Sequence, residues 1–205
     1  MTISKHLQEI CQDAAEKVGI SYDLEKNLLW DSEARLLLEL STHHAHEGVV
    51  IEIGTYRGYS ACLMGMVRKL ADGMEVYTVD QSQWLSADAL LTRDRIGRLG
   101  LRDTVHCINL SSGPASVQIV RTAIGEHTEC SLLFIDGDHS ENSVLHDVRT
   151  WLPMVAVDGL IVFHDRVRVS EVDAAIQKML RTGEEPVASE QYLAAYTRDQ
   201  FHESF

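Results

Sequence analysis

The stretch VVIEIGTYRGYS, Val49 to Ser60, carries an apolar run straight into a turn framed by two glycines. Val49–Ile53 is apolar except for Glu52, the pattern of a parallel strand covered on both faces. Gly54 and Gly58 allow a tight turn and let the backbone approach a ligand with no Cβ in the way. A helical pattern, SACLMGMVRKLA, follows from Ser60. In open α/β sheets ligands sit beyond the carboxyl ends of the strands, where the strand order reverses, so this loop is the first candidate binding element. Its GxxxG spacing is not the GxGxxG dinucleotide fingerprint. Nor is it a Walker A loop, which needs Lys-Ser/Thr after the second glycine.

The chain around the loop repeats the same alternation. Glu75–Val79, Thr104–Leu110, Ser131–Ile135 and Leu160–Phe163 read as further strands. Helix patterns lie between them in SADALLTRDRIGRLG, PASVQIVRTAIG and ENSVLHDVRTWLPMV, the last starting at Ser140 or Glu141 and stopping near Pro153. SEVDAAIQKMLRTG is one more helix, and EQYLAAYT is a last strand expected to add to one edge. Two helices precede the core: SKHLQEICQDAAEKVG, and DSEARLLLELSTHH capped by Asp31 or Ser32. The expected fold is therefore α/β, a Rossmann-like doubly wound and mostly parallel sheet with extra N-terminal helices. The 205 residues fit one domain, with residues 47–205 as the core and 1–46 as a lid, an acceptor wall or a dimer contact.

Composition narrows the partners. A formal charge of −13 argues against nucleic acid and against an anionic membrane surface. No apolar run approaches the roughly 20 residues that span a bilayer, and the first residues lack an apolar signal stretch. Cys11, Cys62, Cys107 and Cys130 are scattered without a CxxC, so they read as reduced thiols in a cytoplasmic protein.

Two constellations of acids carry the chemistry. Strand two ends at Asp80, where a carboxylate can accept both hydroxyls of a ribose. The fourth and fifth strands run into FIDGDHS and IVFHD, ending in Asp136 and Asp165. Parallel neighbours bring these two acids to one rim, and converging carboxylates call for a hard divalent cation with oxygen ligands.

VVIEIGTYRGYSACLMG resembles the first motif of class I S-adenosylmethionine-dependent methyltransferases, especially the catechol-type small-molecule O-methyltransferases with their E-x-G-x-Y-x-G-Y-S loop. Glu52, Gly54, Tyr56, Gly58, Tyr59 and Ser60 match it. The resemblance implies that Tyr56, Ser60 and the loop backbone, Thr55 included, hold the methionine carboxylate and amine. It puts Glu52 below the methionine end and Asp80 on the ribose, with Gln81, Ser111 and Ser112 near the adenine. The later stretch, IDGDHS to IVFHD, is similar to metal-dependent O-methyltransferases of antibiotic sugars (macrocin-type) and other small molecules. By that resemblance Asp136 and Asp165 bind Mg²⁺, with Asp136 also at the cofactor. His139 stands where sugar-type enzymes carry a histidine, and an imidazole there takes the acceptor hydroxyl's proton near neutral pH.

The sequence departs from both patterns beside Asp165. Catechol-type relatives have an asparagine ligand where Arg166 stands, and sugar-type relatives an acid where His164 stands. Either His164 completes the metal site, or water does, or the metal is lost, and an arginine pointing inward would repel a cation. Asp138 either orients His139 or serves the turn at Gly137.

The expected activity is Mg²⁺-assisted methyl transfer to a hydroxyl of a natural-product sugar, polyketide or phenol, in a homodimer. Its rivals are a metal-independent methyltransferase, an impaired binding protein of the same fold, and a nicotinamide enzyme. The GxxxG spacing argues against the last. His43, His44 and His46 read as a solvated helix end rather than a metal site. Trp30 and Trp151 read as core, Trp84 as core or adenine neighbour, and Thr92–Arg98 as the outer face of a helix.

Overall fold

The apolar runs pair edge to edge into one seven-stranded sheet of order β3-β2-β1-β4-β5-β7-β6. The computed structural model describes residues 29–42, 47–83, 86–125 and 128–202. The strands are β1 (Gly48–Ile53), β2 (Val76–Val79), β3 (Val105–Ile108), β4 (Glu129–Ile135), β5 (Val155–Phe163), β6 (Ala188–Glu190) and β7 (Leu193–Thr197). The first five are parallel; β7 runs antiparallel to β5, and β6 antiparallel to β7.

Helices cover both faces, as right-handed crossovers demand. They are α1 (Asp31–Leu40), α2 (Tyr59–Leu70), α3 (Ala87–Arg98), α4 (Pro114–Ile124), α5 (Glu141–Trp151) and α6 (Ser170–Met179). Strand alternation sorts the core into two clusters. Val50 packs with residues of α1, α2 and α3, whereas Val49, Ile51 and Ile53 pack with α4, α5 and α6. Every residue of β1 is buried, Glu52 included.

Caps fix where the helices begin. Ser140 Oγ accepts from the Ser143 amide at the start of α5, and Ser86 Oγ from the Ala89 amide at the start of α3. The cap of α1 falls one residue earlier than the sequence reading puts it. Trp30 is the cap residue, and its N–H donates to Glu33 Oε2 at 2.7 Å.

Three further expectations need correction. EQYLAAYT is not one edge strand: Glu190 closes β6, the chain turns at Gln191, and β7 lies between β5 and β6. Leu193 and Ala195 join one core cluster while Ala194 and Tyr196 join the other, so β7 needs cover on both faces and an inner position. Trp151 is fully buried, but Trp30 is 49% exposed. Thr92 and Arg95 are buried rather than outward, because Arg95 Nη1 reaches back to the Arg57 carbonyl at 2.9 Å.

The leading SKHLQEIC segment, Cys11, His43, His44, His46 and Trp84 lie outside the described residues.

Candidate active site

The strand order reverses between β1 and β4, and the hydrogen-bond ladder continues one step past the strands there. Gly54 N donates to Val79 O, Asp136 N to Ile53 O, His164 N to Ile135 O and Asp80 N to Ile108 O, at 2.9–3.1 Å. One rim therefore holds Asp80, Gly54, Asp136 and His164 in strand order.

The glycine loop is fitted tightly into this rim. Gly54 has φ +96°, and a Cβ on it would lie 2.2 Å from the Asp136 carbonyl oxygen. Gly58 has φ +70°, and a Cβ there would lie 2.5 Å from Thr92 Cγ2. Between them Tyr56 also takes positive φ, 44°. Asp80 holds the loop in place: its Oδ2 accepts from the Thr55 and Tyr56 amides at 3.0 and 2.9 Å. Its Oδ1 accepts from the amide and hydroxyl of Ser82, both at 2.7 Å. Burial alone would raise the Asp80 pKa, and these bonds outweigh it and hold it below its ordinary value.

Glu52 lies beneath the loop. Its carboxyl accepts from Ser60 Oγ and, at 2.5 Å, from Thr78 Oγ1. Burial pushes its pKa up to about 8, against the pull of those hydroxyls. The Thr55 side chain is buried and bonded to Thr78, so this residue offers its backbone rather than its hydroxyl.

Two cavities open along the rim. The first, about 340 Å³, runs past Asp80, Gln81, Ser111, Ser112 and Asp147. The second, about 330 Å³, is walled by Leu29, Arg57, Tyr59, Ser60, His139, His164 and Asp165. Gly54, Tyr56, Asp136 and Gly137 line both, so the cavities meet over the glycine loop and the end of β4. Asp147, on α5, was not singled out from sequence. It is buried, and that burial raises its pKa against a bond from Ser112. The Ser112 hydroxyl also receives Trp151 Nε1 at 2.9 Å.

The second cavity has a charge-dense end. Asp136, His139 and Asp165 bring one ligand atom each within 4.8 Å of one another. His139 Nε2 lies 3.2 Å from Asp165 Oδ2 and 3.6 Å from Asp136 Oδ1. The bond with Asp136 raises the His139 pKa against the effect of burial. Asp165 sits at φ 56°, and among the described residues its buried Oδ1 makes no hydrogen bond, although Arg168 Nη1 stands 3.5 Å away. Two carboxylates and an imidazole converging within 4.8 Å fit a divalent cation.

His164 lies against the same two carboxylates, with Nδ1 3.6 Å from Asp165 Oδ2. Its Nδ1 faces Asp136 Oδ1 at 3.1 Å and its Nε2 faces Glu33 Oε2 at 3.4 Å. Burial alone would lower its pKa; the two carboxylates push it up to about 10 instead. The group of possible ligand atoms contains His139 rather than His164, whose two nitrogens are engaged by Asp136 and Glu33. Arg166 is turned away. Its Nε lies 3.3 Å from Asp173 Oδ1, and its guanidinium sits 5.6 Å from the centre of the Tyr196 ring. The repulsion expected from an inward arginine is thus absent. Asp138 serves the turn, its Oδ1 accepting from the Ser140 amide at 2.7 Å.

Glu33 is the residue that sequence reasoning missed most completely. On a helix that reads as amphipathic, an acid two residues into DSEARLL passes for solvent-facing, yet it is fully buried.

Known proteins place this architecture. Residues 51–166 match the family model described as a methyltransferase domain, and the chain belongs to that family. Among solved structures, an O-methyltransferase from Bacillus cereus in complex with SAH has a TM-score of 0.60 at 19% identity, covering 96% of this chain and 92% of that one. CalS11, a TDP-rhamnose 3'-O-methyltransferase of calicheamicin biosynthesis, has a TM-score of 0.62 at 12% identity, covering 96% of each chain. TomG from Streptomyces achromogenes, an O-methyltransferase of tomaymycin synthesis with SAM bound, has 0.61 at 14%, covering 96% and 92%. At such identities the likeness is one of fold. Among the described residues no helix is long and apolar enough to cross a membrane.

Proposed function

We propose that this protein transfers a methyl group from S-adenosylmethionine to a hydroxyl of a small molecule. The observation that carries the reading is the pair of cavities meeting at Gly54, Tyr56, Asp136 and Gly137. The nucleoside occupies the side of Asp80, Gln81, Ser111 and Ser112, and the acceptor occupies the side of His139 and Asp165. The methyl group crosses where the cavities join. SAM-bound and SAH-bound structures of the same fold support the choice of donor.

The residues divide the work. The glycine loop and Ser60 hold the methionine end, above Glu52. Asp80 keeps the loop closed, and a ribose hydroxyl reaches its carboxylate by taking over from Ser82. On the other side, His139 receives the proton of the acceptor hydroxyl, and the walls align oxygen, methyl carbon and sulfur. Asp136 and Asp165 would hold Mg²⁺, with His139 within reach of the same position. Such an ion lowers the pKa of a hydroxyl bound to it.

CalS11, by its name an enzyme acting on a nucleotide sugar, supports a sugar-bearing or polyketide acceptor ahead of a catechol-like phenol. Free Cys62, Cys107 and Cys130 support a cytoplasmic location. The N-terminal helices would supply the acceptor wall, since Leu29 already lines that cavity, or a dimer contact.

A metal-independent reading has one observation in its favour: His139 stands between Asp136 and Asp165, and both favour its charged form. Calorimetry with S-adenosylhomocysteine, then transfer of labelled methyl to nucleotide sugars, polyketides and catechols with and without EDTA, tests both. Binding of S-adenosylhomocysteine and chelator-sensitive turnover are expected. Turnover indifferent to EDTA and to Asp165→Ala would select the metal-independent reading, and no binding would overturn the donor.

A further inference from the structure

Glu33 lies outside the metal cluster and outside both cavities, yet three donors from three parts of the chain converge on it. Oε2 accepts from the Trp30 amide at 2.7 Å and faces His164 Nε2 at 3.4 Å. Oε1 accepts from the Tyr192 amide at 2.8 Å. Trp30 caps α1, Tyr192 immediately precedes β7 and His164 immediately follows β5, so one carboxylate ties the N-terminal helix, the antiparallel pair and the catalytic rim.

The chemistry of the partners is restrictive. The two backbone amides only donate, and they approach different oxygens. Only a side chain that accepts on both ends satisfies them, which a carboxylate does and a carboxamide cannot. With Nε2 held by Glu33, the His164 ring presents Nδ1 to Asp136 Oδ1 at 3.1 Å. The same oxygen lies 3.6 Å from His139 Nε2. Glu33 thus sets the ring that sets the carboxylate at the junction of the two cavities.

We infer that Glu33 is a positioning residue for the methyl-transfer site: it orients His164 against Asp136 and makes the geometry of the rim depend on docking of the N-terminal helix. The inference rests on the proposed function for its catalytic readout, and a ring signal independent of catalysis tests the tie itself. Leu29 is the residue through which the dependence reaches the acceptor. It precedes the cap of α1 and lines the cavity beside His139. The donor cavity shares no residue with α1.

The test is Glu33→Gln in the full chain, with three measurements. In ¹⁵N-histidine spectra, the His164 Nε2 signal is expected to show a hydrogen-bonded proton in the wild type and to shift or exchange faster in the variant. Mn²⁺ affinity, read by calorimetry, is expected to fall roughly 10-fold or more, as when an outer partner of a metal ligand is lost. S-adenosylhomocysteine affinity is expected to stay within about twofold while kcat falls about 10-fold, a split that general loosening of the fold would not give.

If Glu33→Gln does not fold, His164→Asn with Glu33 intact must itself lower Mn²⁺ affinity and kcat; wild-type values for both would overturn the inference. So would a folded Glu33→Gln with unchanged His164 signals, Mn²⁺ affinity and kcat. A wild type that binds neither Mn²⁺ nor S-adenosylhomocysteine would count against the proposed function instead, with the His164 signals still reporting on Glu33.

Discussion

The two halves of the rim are built in opposite ways. On the donor side polar groups find partners close at hand: Asp80 takes four donors from the glycine loop and its own turn, and Glu52 takes two hydroxyls. On the acceptor side Asp136 and Asp165 share the imidazoles of His139 and His164, and one Asp165 oxygen makes no hydrogen bond among the described residues. The difference teaches which half is finished by the fold and which half awaits ligands. A satisfied loop is preorganised to grip a donor. Converging carboxylates raise one another's pKa and leave room for a positively charged partner, which is where the proposed cation would sit.

The largest effect should come from the unfinished half. His139→Ala is expected to lower kcat by about 10²–10⁴-fold with little change in S-adenosylhomocysteine affinity, measured by steady-state kinetics and calorimetry. In the wild type, Asp136 and Asp165 favour the charged imidazole, so the free base appears only as pH rises. The rate should therefore climb with pH above the ordinary histidine range. Asp165→Asn should move that limb to lower pH, because one raising charge is gone. A limb that does not move would break the assignment of His139.

On the finished half, Gly54→Ala should abolish donor binding in the same calorimetry and destabilise the fold by about 1–3 kcal/mol. The added methyl meets the Asp136 backbone, and φ is positive. Asp80→Asn should weaken donor binding by about 10-fold, since an amide nitrogen would face donor groups at one oxygen position. If it weakens turnover far more than binding, the two halves are not separable as described.

Glu52→Gln sharpens the contrast through pH. The folded state holds a proton on Glu52 up to about 8, whereas the unfolded chain releases it near 4.5. This group's contribution to stability is full below the lower value and declines as pH rises to the higher one. Denaturant titrations should show the variant gaining on the wild type between those two values and level with it below. The smallest effect belongs to Arg166→Ala, expected to leave kcat unchanged and cost about 1 kcal/mol or less, because its charge rests on Asp173 and Tyr196. A rise in Mn²⁺ affinity in that variant would show that the guanidinium does reach the cluster.

Legibility followed distance along the chain. The five parallel strands, the loop from Gly54 to Ser60 and the strand-end acids stood out, because each is a local pattern: a continuous apolar run, a glycine where φ is positive, a carboxylate one residue past a strand. The pattern at Asp136 to His139 was equally local. The antiparallel pair was not, since the turn at Gln191 carries no glycine or proline to announce it. Arg166 was misleading for a related reason. Its position beside Asp165 said nothing of the aromatic ring and the acid that draw it the other way.

By itself, then, the sequence determined the five parallel strands, the loop and the acids at the strand ends, because strand periodicity and glycine stereochemistry act over a few residues. Only the tertiary structure decided which groups share that rim and in what state. It joined Glu33 to His164 across 131 positions and drew His139 up to Asp136 and Asp165. Burial and opposing charge set protonation, and both are sums over neighbours that the chain brings together only when folded.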